Sequence, residues 1–155
     1  ALPGPGGGGA VAVVVAAEPS HTLQALAVPG GAARWSVVAG GSAVKALAVC
    51  SGRLFAGSEA GLAAWALQDD PTSGPPKPLA RRLRGGHAQG GVTCLAALPD
   101  VGLVASGGAD GAVVLWAAAS LRRVAAFGAH GRGACRAVAA EGAWLCLGGD
   151  DGVVR

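Results

Sequence analysis

The chain has 155 residues, enough for one domain with a sizeable core. At 52% hydrophobic and 14% charged it excludes global disorder, and a net charge of +3 is too mild to demand a nucleic-acid partner. Methionine is missing altogether, which fits a processed start or a piece of a longer chain.

Taken in chain order, "ALPGPGGGG" (1–9) reads as a Gly/Pro-rich linker, and residues 10–155 as the folded domain. The stretch "GPGGGG" matches G-x-G-x-x-G formally, but no strand precedes it and no helix follows, so it is weak as a dinucleotide site. "AVAVVVAA" (10–17) is too short to span a bilayer, and no basic segment precedes it as in a signal peptide. The expectation is an intracellular chain, in cytoplasm or nucleus, without a membrane partner.

Helical periodicity is absent. Runs of about five to eight apolar residues follow one another, broken by Gly, Pro and Asp: "TLQALAV", "AVKALAVC", "RLFAGSE", "VTCLAAL", "GLVASGG", "AVVLWAA", "RRVAAFGA" and "WLCLGG". Many short strands with regular turn signals predict an all-β fold, although Ala is a weak strand former. "LQDDPTSGPPKPLA" (67–80) is predicted to be a loop insertion between strands.

Repetition is more informative than any single run. "VKALAVCSGRLFAGSEAGLAAW" (44–65), "VTCLAALPDVGLVASGGADGAVVLW" (92–116) and "CRAVAAEGAWLCLGGDDGVVR" (135–155) share one plan. Each has a strand, a polar turn, a strand of small residues, a Gly-containing turn and a third strand. A weaker copy, "TLQALAVPGGAARWSV" (22–37), is expected to place Trp35 where the others place their closing Trp. Asp110 and Asp151 lie 41 residues apart, and His87 and His130 lie 43 apart. A period of about 40 residues with several strands per unit predicts a β-propeller of about three and a half four-stranded blades.

"GGHAQGGVTCLAALPDVGLVASGGADGAVVLW" (85–116) resembles the WD40 repeat family: Gly86–His87, Ser106, Asp110–Gly111 and Trp116 stand where that family has its motif residues. The resemblance implies a structural tetrad in which His87 bridges Ser106 and Asp110 while Trp116 donates its indole N–H to Ser106. It extends over roughly residues 20 to 155, with departures. Ala56 and Ala60 replace Ser and Asp in the second copy, and Leu147 replaces Ser in the last. His130 and Asp151 keep a partial tetrad there. A narrower similarity, carried by "VKALAVCSGRLFAGSEAGLAAWAL" and "GGHAQGGVTCLAAL", is to the WD40 part of plant-type CCCH zinc-finger proteins with WD repeats, here without the zinc finger.

Ser106, His87 and Asp110 are also the parts of a hydrolase triad. No G-x-S-x-G elbow occurs in the chain, and the repeat accounts for all three residues, so no enzyme is expected. The cysteines Cys50, Cys94, Cys135 and Cys146 are scattered through apolar runs without a C-x-x-C pair, which points to buried thiols rather than a metal site. No cofactor is implied. The resemblance implies a non-catalytic scaffold for other proteins, whose ring closes with further blades or a second copy. Loops 86–91, 107–111 and 131–134 are expected to share a face, with Arg132 and the surroundings of Asp110 as contact candidates. The basic run Arg81, Arg82 and Arg84, with Arg122 and Arg123, offers the competing reading of RNA binding beside an external zinc finger. A subunit of a ubiquitin ligase is the third reading, which a flanking F-box or RING would decide.

Overall fold

Apolar runs of this length, cut by glycine-bearing turns, form strands in antiparallel order. The structure, a computed structural model, describes residues 11–17, 21–28, 32–68, 74–80, 82–83, 86–88, 91–131, 133–142 and 144–155, with only the backbone path for 11–17 and 27–28. The linker expected over 1–9 lies outside the described residues.

The first sheet holds β1 (Val11–Ala17), β2 (Thr22–Val28) and β3 (Ala33–Val38). The second holds β4 (Val44–Cys50), β5 (Arg53–Ser58), β6 (Gly61–Ala66) and β7 (Lys77–Ala80). In the third are β8 (Val92–Leu98), β9 (Leu103–Gly108), β10 (Ala112–Ala117) and β11 (Arg123–Gly128). The fourth pairs β12 (Cys135–Glu141) with β13 (Trp144–Gly149). Every sheet is an up-and-down meander, and β8 lies between β4 and β12 as the innermost strands of successive sheets. This is an all-β, partial β-propeller architecture, with blades packed face to face.

Packing explains why the strands lack a simple in–out alternation. In β5, Phe55 joins the core shared with the third sheet, whereas Leu54 and Ala56 join the core shared with the first. In β6, Leu62 and Ala64 take the former side, Ala63 and Trp65 the latter. A strand buried on both faces reads as a continuous apolar run. A third core, built from Cys94, Val113, Ala129, Cys135 and Leu147, joins the third sheet to the fourth. Burying a side chain such as Phe55 contributes about 2 kcal/mol, and the small residues between let the sheets approach.

Two expectations are corrected. The loop expected over 67–80 ends early, because Lys77–Ala80 is the outer strand of the second sheet. Pro78 disguises it: proline cannot donate to a ladder, but an edge strand has no neighbour on its far side. Trp35 does not close a weaker repeat. It sits on β3, whose pairing with β2 skips one residue between Ala25 and Leu26, as β6–β7 does at Trp65 and β10–β11 at Trp116. By register Leu26 occupies the tryptophan position, and β1, β2 and β3 correspond to the second, third and fourth strands of a blade.

One irregularity recurs at the head of each inner strand. The pairing skips Lys45, Thr93 and Arg136 in β4, β8 and β12. Such a bulge re-aims one side chain. It marks the end of the blades where the turns carrying Glu59, Asp110 and Asp151 also lie, called the loop face below.

Candidate functional site

The four residues of the 85–116 motif come together on the face of the third sheet that packs against the second. Ser106 is supplied by β9 and Trp116 by β10, Asp110 by the turn between them, and His87 by the connection that precedes β8. Trp116 Nε1 donates to Ser106 Oγ at 2.8 Å. Ser106 Oγ lies 2.9 Å from His87 Nε2, and His87 Nδ1 lies 2.9 Å from Asp110 Oδ1. With the ionised carboxylate accepting from Nδ1–H, the neutral imidazole accepts from the serine hydroxyl at Nε2. The carboxylate also accepts from the backbone N–H of Ala88 at 2.8 Å and of Ala112 at 3.1 Å, which locks the turn.

This relay is built for burial. Ser106 and Trp116 are fully buried, and the His87 side chain is 1% exposed. No substrate carbonyl can reach a serine oxygen in that position, so the triad geometry has no access to a substrate. Its physical work is to satisfy three buried polar side chains at once, which tie two strands, a turn and the preceding connection together.

Burial alone would push the Asp110 carboxyl up, but hydrogen bonds from His87 and from Ala88 and Ala112 N–H together hold it below the ordinary carboxylate range. A folded-state value below the unfolded one stabilises the fold above the unfolded pKa, and that share drains away as pH falls through the folded value. Stability measured by urea unfolding should therefore fall less steeply between pH 5 and pH 3 in Asp110→Asn than in the parent. Equal slopes would show that Asp110 is not a carrier of the acid sensitivity.

The relay is half-built in the fourth sheet. His130 Nδ1 stands 2.8 Å from Asp151 Oδ1, and Arg155 Nη1 reaches both His130 Nδ1 (2.9 Å) and Asp151 Oδ2 (2.7 Å). The Arg155 guanidinium, with His130 and the Val153 N–H, holds the Asp151 carboxyl down to about 2 against the opposing effect of desolvation. Leu147 stands where Ser106 does, and the buried His130 Nε2 has no hydrogen-bond partner among the described residues.

In the second sheet the relay is absent. Register places Ala56 at the serine position and Trp65 at the tryptophan position. Ala60 lies in the turn. Ala39, five residues before β4 as His87 is five before β8, stands for the histidine. The sequence alone did not reveal Ala39, because an alanine in an alanine-rich stretch carries no signal until the strands are aligned.

The basic candidates do not form one patch. Arg82, exposed, lies beside Gly61 at the loop face, whereas Arg122 follows β10 at the opposite end of the blade. Arg81, Arg84 and Arg132 lie outside the described residues. Among the described residues no three His, Cys, Asp or Glu side chains gather as a metal site, and no helix is long and apolar enough to cross a membrane.

The turns at the loop face do adjoin one another. Ala109 N–H donates to Gly91 O at 3.2 Å, Ala129 N–H to Gly111 O at 2.9 Å, and Asp150 N–H to Ala134 O at 3.0 Å. Two of the bulged residues carry ion pairs there. Lys45 Nζ meets Glu59 at 3.0 Å, and Arg136 grips both oxygens of Asp150 at 2.7 and 2.8 Å.

Residues 78–117, from the edge strand β7 through β10, match the family described as WD domain, G-beta repeat. Over that stretch the chain is similar to a WD40 repeat. The match begins on the outer strand of one blade and ends on the third strand of the next, so the WD40 sequence unit is offset from the structural blade by one strand. No curated protein matches the chain by sequence. Among solved structures, U3-55K is 22% identical with a TM-score of 0.78, over 93% of this chain and 44% of its own. Chaetomium thermophilum Sqt1, bound to the N-terminus of the ribosomal protein L10, is 24% identical with a TM-score of 0.65, over 95% and 40%. The computationally designed Ika4 protein is 22% identical with a TM-score of 0.72, over 93% and 82%. The chain thus spans less than half of U3-55K and of Sqt1.

Proposed function

We propose that the chain is a non-catalytic WD40 platform that holds other proteins against its loop face. One observation supports this reading: at the loop face the turns of three sheets close against the neighbouring connections, Gly91 against Ser58 and Glu59, Gly111 against Gly131 and Gly133, and Gly133 against Asp150, with the third sheet's turn anchored below by the buried relay. Loops on a rigid scaffold are where binding residues concentrate. The exposed Lys45–Glu59 and Arg136–Asp150 pairs give that surface charges of both signs at fixed places. Sqt1, of similar fold, is a structure with a protein segment bound.

Charge reversal separates this face from the rest of the molecule. Proximity labelling with Arg136→Glu and Glu59→Lys should lose partner proteins that the parent labels. Asp100→Lys, in the short 3-10 turn Pro99–Val101 at the opposite end of the blades, should keep them. All variants should unfold at nearly the parent temperature, because exposed ion pairs contribute little to stability. Unchanged labelling by both loop-face variants would refute the proposal.

A further inference from the structure

Loss of the relay in the second sheet leaves space as well as missing hydrogen bonds. A cavity of about 470 Å³ lies between the first and second sheets, lined by Val37, Ala39, Val44, Ala56, Ala63 and Trp65. Its mouth is formed by Gly40 and Gly41 at the loop face, with Ser58, Ala60 and the edge-strand residues Pro78 and Ala80 completing the wall. In the third sheet the corresponding positions carry the serine and the histidine of the relay, so here the chain has kept the relay's frame and deleted its contents.

Two polar groups remain. Trp65 is 4% exposed and makes no hydrogen bond among the described residues, whereas its register counterpart Trp116 donates to Ser106. Ala56, at the serine position, offers no acceptor. Ser58 Oγ donates to Gly61 O at 3.3 Å and has lone pairs left to accept. Among the described residues no charged side chain lines the cavity, so these residues offer an ionic ligand no counter-charge. A pure hydrocarbon would leave the indole N–H unpaired. The volume lies in the range of small-molecule sites.

We propose that this cavity binds a neutral, planar heteroaromatic molecule, its ring between the alanine floor and Val37 and Val44, its ring nitrogen accepting from Trp65 Nε1. In the neighbouring blade a heteroaromatic ring, the imidazole of His87, stands at the Ala39 position, on the wall of a cavity of about 490 Å³. This site is separate from the protein-binding loop face in its chemistry, and it stands or falls independently of that reading.

Benzimidazole is a suitable probe, with indene as the carbocycle of the same shape that lacks both nitrogens. Titrated into the full chain, benzimidazole should produce a saturable shift of the Trp65 indole N–H resonance, identified by its loss in Trp65→Phe, and leave that of Trp116 in place. Saturation-transfer NMR should show at least fivefold weaker binding to Trp65→Phe. It should show none to Ala56→Leu, which fills the cavity with the side chain that the fourth sheet already carries at Leu147. Indene should bind at least fivefold more weakly than benzimidazole to the parent. The absence of a saturable shift, equal binding of indene, or undiminished binding to both variants would each overturn the proposal.

Discussion

Replacing Gly108 with serine should cost about 3 kcal/mol in the parent and far less once His87 is alanine. A Cβ on Gly108 would fall well inside 3 Å of the His87 ring and of Asp110 Oδ1, both fixed by the relay. Overpacking of this kind costs about 1 to 3 kcal/mol, and more where the neighbour cannot give way. His87→Ala alone should also be expensive, at about 3 kcal/mol. It opens a hole and removes the ring that links Ser106 to Asp110, leaving the serine hydroxyl only the longer contact to Val114 O and the carboxylate only its two backbone donors. The double variant should not cost the sum, because serine then occupies space the imidazole has left. The chain itself contains both compatible combinations, histidine with glycine and alanine with serine. His87 is paired with Gly108, and His130 with Gly149, whose Cβ would likewise collide with the histidine ring. Ala39 is paired with Ser58. A double-mutant cycle by urea unfolding should return a coupling of about 2 kcal/mol favouring the paired change. Strict additivity would show that the steric argument is wrong.

That coupling also shows how far the sequence could be read without coordinates. The relay residues of the third sheet were legible because they are polar, sparse and tied to a Gly-His and an Asp-Gly at fixed distances. Their absence elsewhere was only partly legible. Ala56 and Ala60 could be aligned through the flanking strands, but Ala39 is an alanine in an alanine-rich stretch, and nothing marks it until the start of β4 is placed. Trp35 misled because an indole is a conspicuous marker, while the residue in the tryptophan place, Leu26, is not. The edge strand β7 was hidden by Pro78, which a central strand would exclude and an edge tolerates. Whether the two basic runs share a surface was not legible, because the sequence proximity of Arg82 to Arg84 says nothing about Arg122, which a strand reversal carries to the far end of the blade.

The same limit applies to the glycines, which look alike in the sequence and differ sharply in what surrounds them. Gly91 and Gly131 both lie at the loop face with left-handed backbones, φ +71° and +56°. Alanine at either position is strained by about 1 kcal/mol for that conformation. Around Gly131 there is open space, so Gly131→Ala should cost little beyond the strain. Around Gly91 the backbone of the preceding blade closes in: an added Cβ would meet Glu59 O at 2.6 Å and, closer still, Ser58 O and Glu59 Cα. Backbone cannot rotate away as a side chain tip can, so the turn of the second sheet and the head of β8 must separate. The hydrogen bond from Ala109 N–H to Gly91 O goes with them, which loosens the third sheet's turn as well. Gly91→Ala should therefore lower stability by about 4 kcal/mol, against about 1 kcal/mol for Gly131→Ala, by urea unfolding at neutral pH. Hydrogen exchange in the Gly91 variant should quicken first at Ala109 and at the head of β8. If the two variants prove equally stable, the close approach of blades at Gly91 is not what fixes the loop face.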